Sequence, residues 1–258
     1  MSTILVLQSF HSPPHFSIIG RCIESVKCWA NMSGFEYEIV GDEIADLLPD
    51  TYRKNSFGRW PMLIDLARLL AVRDRLNAGV DRVIWLDADT MIFAPLRFQP
   101  PINGDHAVGR EVWVEPNRKG GWRAHRHVHN AALLFGRGAP ALDFLIFATM
   151  RVVERLEGPA SPQIAGPKLL SALHNLVAFR VWESAGMLSP FVLTDLATGD
   201  GPALRAQTRR LEEPIAAANL CHSLWESEIE GLKLDEMVLS SAIETLRSRY
   251  EKTGITPN

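Results

Sequence analysis

The stretch Arg82-Val-Ile-Trp-Leu-Asp-Ala-Asp-Thr-Met-Ile-Phe93 decides how the rest of the chain reads. Val83 to Leu86 form an unbroken apolar run, which suits a strand buried on both faces of a parallel sheet. The run stops in acid. Asp87 and Asp89, two residues apart, fall on the same side of an extended segment, so both carboxylates lean toward one point beyond the strand's carboxyl end, where open α/β sheets bind ligands. Paired carboxylate oxygens suit a hard divalent ion such as Mg²⁺ or Mn²⁺, which shares its remaining positions with water and phosphate oxygens. An Asp-x-Asp arises by chance about once in a chain of this size at ordinary Asp usage. Position distinguishes this one: it lies between a buried strand and a second apolar run, Met91 to Phe93, and no other Asp-x-Asp occurs in the sequence.

The chain of 258 residues has the size of one large α/β domain, with apolar content to bury a core, and is read as a single domain over residues 1–258. A net charge of −3 and a pI near 6.2 argue against a nucleic-acid partner, which calls for a basic face. Cys22, Cys28 and Cys221 have no metal-knuckle spacing; they fit a reduced compartment, with Cys22 and Cys28 as small core residues. The amino terminus lacks a basic region and reads as a first strand, not a signal peptide, and no apolar run is long enough to span a bilayer. The expectation is a soluble cytoplasmic protein without a transmembrane segment.

Working outward, Ile4 to Leu7 reads as the first strand, Phe10 to Phe16 as a loop, and Ile18 to Trp29 as a helix stopped by Gly34. Phe35 to Val40 alternates as a second strand. No Gly-x-Gly-x-x-Gly follows Leu7, so the opening lacks the dinucleotide fingerprint. A loop over 42–59 leads to Pro61, a good first helical residue, and a helix to Asn77 with Gly79 as its stop and Leu63, Leu66, Ala67, Leu70 and Ala71 as its buried stripe. Asp65 and Arg68 sit three apart near its start; such a pair is usually a surface ion pair of small value, but this helix feeds into the Asp87 strand.

Residues 110–130 have the most unusual composition: Trp113 and Trp122 flank Arg118, Lys119, Gly120, Gly121 and Arg123, followed by His125, Arg126, His127 and His129. This reads as a cationic, aromatic, Gly-hinged loop able to close on an anionic ligand, against the plainer reading of a solvated loop. Its histidine spacing matches no zinc pattern well. Further on, Ala131 to Phe135 reads as a strand, Ala139 to Leu156 and Pro167 to Asn175 as helices, Val177 to Val181 and Phe191 to Thr194 as short strands. The polar stretch 195–214 reads as a loop or second flap, and Leu232 to Tyr250 as a closing helix.

Taken together, these residues resemble a glycosyltransferase of the GT-A fold, of the Asp-x-Asp sugar transferases related to capsular-polysaccharide and α-mannosyltransferase enzymes, with a fainter likeness to glycogenin-type enzymes. The resemblance runs from the Ile4 strand to Trp225 and is strongest from Pro61 to Leu96. It implies an α/β fold with a mostly parallel central sheet and helices on both faces, a nucleotide-binding part over about 1–96 and an acceptor and lid part over about 97–258. It implies that Asp65, Arg68, Asp87, Asn130 and Trp225 bind the donor nucleotide-sugar, and that Asp87, Asp89 and His222 hold Mn²⁺ or Mg²⁺. The Gly166-Pro167 turn is similar to one in that family. A Tyr-Gly-Gly-Ile-Tyr run usual there is replaced by Ala78-Gly79-Val80-Asp81-Arg82-Val83, which leaves the donor open.

The resemblance implies transfer of a sugar from a UDP- or GDP-sugar to a carbohydrate or other hydroxyl acceptor, with retention and without a protein nucleophile or named base. Two alternatives stand beside it. Leu86-Asp87-Ala88-Asp89-Thr90 also fits a haloacid-dehalogenase-like phosphatase, with Asp87 as nucleophile and Asp89 as acid/base, and with Lys168 and the pair Asp195 and Asp200 pressed into its later motifs. Against it, such a motif normally opens a chain. The other alternative is a carbohydrate-binding relic without turnover.

Overall fold

The structure is a computed structural model that describes residues 2–10, 17–225 and 227–252, with side chains to residue 250. Most of the expected 10–16 loop therefore lies outside the described residues. The strands in chain order are β1 (Ile4–Ser9), β2 (Glu36–Val40), β3 (Arg82–Leu86), β4 (Thr90–Ile92), β5 (His106–Pro116), β6 (Trp122–Gly136), β7 (Val181–Trp182), β8 (Ala185–Met187) and β9 (Ala217–Asn219). The helices are α1 (Ile18–Met32), α2 (Asp50–Asn55), α3 (Trp60–Asn77), α4 (Pro140–Glu154), α5 (Pro167–Val177), α6 (Pro190–Thr198), α7 (Pro202–Thr208) and α8 (Glu236–Lys252).

Six strands form the central sheet in the order β2-β1-β3-β6-β5-β7, and β4-β9-β8 form a second, smaller sheet. In the central sheet β1 runs parallel to β2 and β3, and β5 parallel to β7, while β6 alone is reversed against both β3 and β5. The mostly parallel α/β architecture expected from the buried apolar runs is present. Alternate residues of the inner strands feed two separate cores, because successive side chains point to opposite faces of a strand. Ile4, Val6, Ile84 and Leu86 pack with α1, α6 and α8 on one face, and Leu5, Leu7, Val83 and Trp85 pack with α3, α4 and α5 on the other.

Several segments differ from the sequence expectation. The 42–59 segment is a 3₁₀ turn, Asp42–Leu47, followed by α2, whose Asp50 in the first turn and Arg53 and Lys54 in the last complement the helix dipole. Residues 110–130 are no mobile loop: they form most of a long hairpin, with Glu111 opposite His127, Trp113 opposite His125 and Glu115 opposite Arg123. Asn117 Oδ1 accepts hydrogen bonds from Lys119 N and Gly121 N, and Gly120 takes φ 77°, so the turn is locally specified. Val177 ends α5, leaving only Val181–Trp182 as a strand. Phe191 to Thr194 lie in α6, and the 195–214 stretch contains the end of α6 and all of α7; Pro190 and Pro202 fix the helical φ at their starts. The α3 stripe widens to nearly the whole circumference, since Asp65 through Val72 are all buried, and Leu63 is only partly so. Cys22 is buried as expected, but Cys28 is exposed.

One aromatic stack ties the first core together. Trp29 of α1 lies 4.8 Å from Phe98, which stacks on Trp182 of β7 at 4.3 Å and 12°, and Trp29 Nε1 donates to Phe98 O at 3.0 Å. Phe98 is fully buried, and deleting its ring leaves a cavity between two indoles that rigid sheet and helix cannot close. Phe98→Ala should cost about 3–5 kcal/mol and lower the thermal midpoint by on the order of 10 °C. Calorimetry checks this; a midpoint unchanged within error would show that the stack does not anchor the core.

Candidate functional site

The strand β3 ends at Leu86, and the turn after it presents the acids. Asp87 N donates to Ala131 O at 2.8 Å, extending the β3–β6 pairing by one residue, and Thr90 N donates to Asp87 O at 2.9 Å. That second bond closes a turn, so Asp87 and Asp89 are not two positions of one extended segment as the spacing suggested. They are held from different directions.

Asp87 belongs to the α3 side. Its Oδ1 accepts from Arg68 Nη1 at 2.8 Å and from Trp85 Nε1 at 2.7 Å. The same Arg68 Nη1 donates to Asn130 O at 2.8 Å, its Nη2 lies 3.5 Å from Asp65 Oδ1, and its Cζ stands 5.6 Å from the Trp85 ring centre. Asn130 Nδ2 closes the circuit on Asp65 Oδ1 at 2.8 Å. Asp65 and Arg68 are 5% and 6% exposed, so they are no surface pair. Burial pushes the Asp65 carboxyl up to about 6, against the opposing pull of Arg68 and Asn130. Gly166 covers Asp65 closely: a Cβ there would stand 2.4 Å from its Oδ2, which gives the Gly166-Pro167 turn a steric reason.

Asp89 belongs to the small sheet. Its carboxylate accepts from Asn219 Nδ2 at the end of β9 and from His222 N at 2.7 Å, and its own carbonyl accepts from Leu220 N at 3.0 Å. Burial and, next, the charge of Asp87 raise its pKa. His222 opens a short 3₁₀ turn, is exposed, and sets its ring edge-on to Trp225 at 4.7 Å. Trp225 spends its indole N–H on Leu220 O at 2.8 Å, so it buttresses this turn.

The structure thus joins Asp65, Arg68, Asp87 and Asn130 in one bonded network and sets Asp89, His222 and Trp225 in a second one beside it. Among the described residues no group of three His, Cys, Asp or Glu side chains is assembled to hold a metal. The donor chemistry nonetheless fits a hard cation: Asp87 Oδ2 accepts no hydrogen bond among the described residues, and Asp89 is held only by neutral donors while the charge of Asp87 bears on it.

Sequence reasoning missed several supports. Gln8 Nε2 donates to Asp87 O at 3.2 Å and is itself held by Tyr37. Asn219 positions Asp89. His129, 1% exposed, accepts from Ala131 N at Nδ1 and reaches Ala185 O with Nε2, lying so close over Gly109 that a Cβ there would stand 2.3 Å from its ring. Only Trp85 carried a signal, being two residues before Asp87 on the same strand face. The phosphatase residues are placed differently from one another: Asp195 caps α7 through Leu204 N at 2.9 Å and Asp200 pairs with Arg205. A hollow of about 600 Å³ lined by Ser2, Asp81, Arg82, Asp105 and Arg137 lies at the opposite, amino end of β3, where Asp81 is already paired with Arg137 at 3.0 Å. No helix among the described residues is long and apolar enough to cross a membrane.

Neither a protein-family model nor a curated protein matches the sequence. Among solved structures, a glycosyltransferase involved in the glycosylation of the major capsid of PBCV-1 is 9% identical over 95% of this chain and 98% of its own, with a TM-score of 0.47. A197 from STIV is 12% identical over 70% of this chain and 80% of its own, with a TM-score of 0.31. Scores this low carry no argument about function, which has to come from the site itself.

Burial lowers the His129 pKa to about 4, so the folded state holds the ring neutral while an unfolded chain protonates it near 6.5. The unfolded state then binds more protons between those values, and stability falls as the pH drops through that window. Asp65 and Asp89, with raised pKa values, act in the opposite sense. His129→Gln should therefore remove about 2–3 kcal/mol of the parent's change in unfolding free energy between pH 7 and 4.5. Urea melts of both proteins at the two pH values check this; equal pH dependence would mean His129 is already charged in the fold.

Proposed function

We propose that the protein is a metal-dependent glycosyltransferase that moves a sugar from a nucleoside-diphosphate donor, a UDP- or GDP-sugar, to a carbohydrate or other hydroxyl acceptor. The observation that carries this reading is the acid pair Asp87 and Asp89 at the carboxyl end of β3, with Asp89 held by neutral donors alone and with Arg68, Asp65 and Asn130 bonded behind Asp87. A site of this charge recruits a divalent cation and, with it, the diphosphate of a sugar nucleotide.

Asp87 and Asp89 would hold Mn²⁺ or Mg²⁺, with His222 beside them; when bound, the ion supplies Lewis-acid stabilisation of the charge that builds on the departing diphosphate. The chain's own residues do the rest. Arg68 fixes one face of Asp87, and Asn130 and Asp65 offer a polar, buried corner for the donor sugar. In the transfer the acceptor oxygen bonds to the anomeric carbon, the bond from that carbon to the phosphate oxygen breaks with its electron pair on the diphosphate, and the acceptor's hydroxyl proton is released. Retention of configuration is the outcome that the family resemblance implies.

The test is release of nucleoside diphosphate from a panel of UDP- and GDP-sugars with Mn²⁺. Asp89→Asn keeps the side chain's size and removes its charge, and should lower turnover by about a hundredfold or more while leaving the thermal midpoint near the parent's. Turnover close to the parent's would refute the assignment. His222→Ala should raise the Mn²⁺ concentration for half-maximal activity by about tenfold, and an unshifted titration would return His222 to a purely structural place. Inorganic phosphate released from simple monoesters, with no diphosphate release, would favour the phosphatase instead.

A further inference from the structure

The β5–β6 hairpin continues past the carboxyl end of β3, the end from which the acid pair follows. Directly paired residues on antiparallel strands share a face, and one face of this extension carries Glu111, Trp113 and Glu115 opposite His127, His125 and Arg123. Its inner end continues from the corner that holds Asp87: Asp87 N donates to Ala131 O and Arg68 Nη1 to Asn130 O, and the Glu111–His127 pair follows three residues farther along β6.

Two side chains on this face are without work inside the protein. Trp113 is half-buried, yet among the described residues it joins no hydrophobic cluster, makes no ring contact and has no partner for its indole N–H. That sets it apart from Trp29, Trp85, Trp182 and Trp225, each of which donates its N–H within the fold. Glu111 is half-buried and its carboxylate makes no hydrogen bond or ion pair among the described residues. Burial alone pushes it up to about 7. Beyond them, the His125 and His127 rings lie parallel with centres 5.9 Å apart, and His125 Nε2 sits 3.1 Å from Glu115 Oε1. A flat indole, paired imidazoles and carboxylates in one strip match the needs of a sugar: an apolar ring face to stack and hydroxyls to receive paired hydrogen bonds.

We propose that this hairpin face seats the acceptor, a hydroxyl-bearing carbohydrate, with Trp113 beneath a sugar ring and Glu111 accepting a hydrogen bond from an acceptor hydroxyl beside the Asp87 and Asp89 corner. The proposal rests on the transferase reading above and adds to it the class of acceptor and the surface that chooses it. The residues the structure puts forward for this are not those that hold the donor, so the two functions separate experimentally.

The test uses the full chain with Mn²⁺, a UDP- or GDP-sugar that it hydrolyses, and a panel of p-nitrophenyl α- and β-hexosides as acceptors. Trp113→Ala should lower kcat/KM for the acceptor by about tenfold, chiefly through KM, and Trp113→Phe, which keeps a ring, should restore most of it. Glu111→Gln should raise the acceptor KM by about tenfold. In each variant, donor hydrolysis without acceptor should stay within about twofold of the parent's, because none of these side chains belongs to the donor network. Hydrolysis and thermal midpoint together show that the variants are folded. Variants that transfer to every glycoside as well as the parent, with normal hydrolysis, overturn this proposal alone. A parent that releases no diphosphate from any sugar nucleotide overturns both readings.

Discussion

A single buried guanidinium holds the site together. Arg68 is 6% exposed, and taking its charge out of water is costly unless partners replace the solvent. The fold supplies them from three elements: Asp65 on its own helix, Asp87 after β3, and the Asn130 carbonyl in β6, with the Trp85 ring alongside. The cation is satisfied only when α3, β3 and the β6 corner are in register with one another. A sub-ångström slip of any one element leaves a buried charge short of a partner, so the same interaction that tolerates burial also specifies the geometry.

That cation does not balance the acids around it. Asp65 and Asp87 share one guanidinium, and the neutral amide of Asn219 and the backbone of His222 are all that Asp89 receives from other side chains and loops. Burial is the main cause of the raised pKa values of Asp65 and Asp89, and the charge of Asp87 adds to it in both. His129 adds nothing to the positive side, because burial keeps it neutral; its task is to hold the corner of β6 from which Asn130 reaches Asp65. A folded protein that leaves negative charge uncompensated in a half-buried corner is spending stability there, which is the expected mark of a binding site.

The central architecture was legible because it rests on strong local signals. Four apolar residues before Asp87, the alternation of 36–40 and the three-four spacing of 18–29 each required one element and no tertiary context. The Pro signal was read at Pro61 and Pro167 but not at Pro190 and Pro202, where the same residue opens α6 and α7; short apolar runs such as 191–194 have no period long enough to settle helix against strand. The hairpin failed for a different reason. Its exposed face alternates Glu, Trp, Glu with His, His, Arg, so composition read as a charged loop while the period of two was the informative feature. Within the site, Asp65, Arg68, Asp87 and Asn130 were found together, whereas Gln8 and His129 act on backbone atoms and Asn219 reaches Asp89 across 130 residues of chain, and neither kind of bond leaves a pattern in the sequence.

Asp87 and Asp89 look like twins in the sequence, and the fold makes them unlike. Asp87 shares an oxygen between a guanidinium and an indole N–H, so half of its carboxylate is committed to the large sheet and its charge is largely answered. Asp89 is fixed by neutral donors from the small sheet and carries the charge that nothing answers. The acids therefore stand on opposite sides of a seam: one is registered to α3 and β3, the other to β9 and the His222 turn. Anything that binds both carboxylates ties the two sheets to each other, and the separation of the acids is set by how β4 and β9 pack against the end of β3. The chemistry of the pair is in this sense a property of the seam, and no pair of adjacent strand residues could reproduce it.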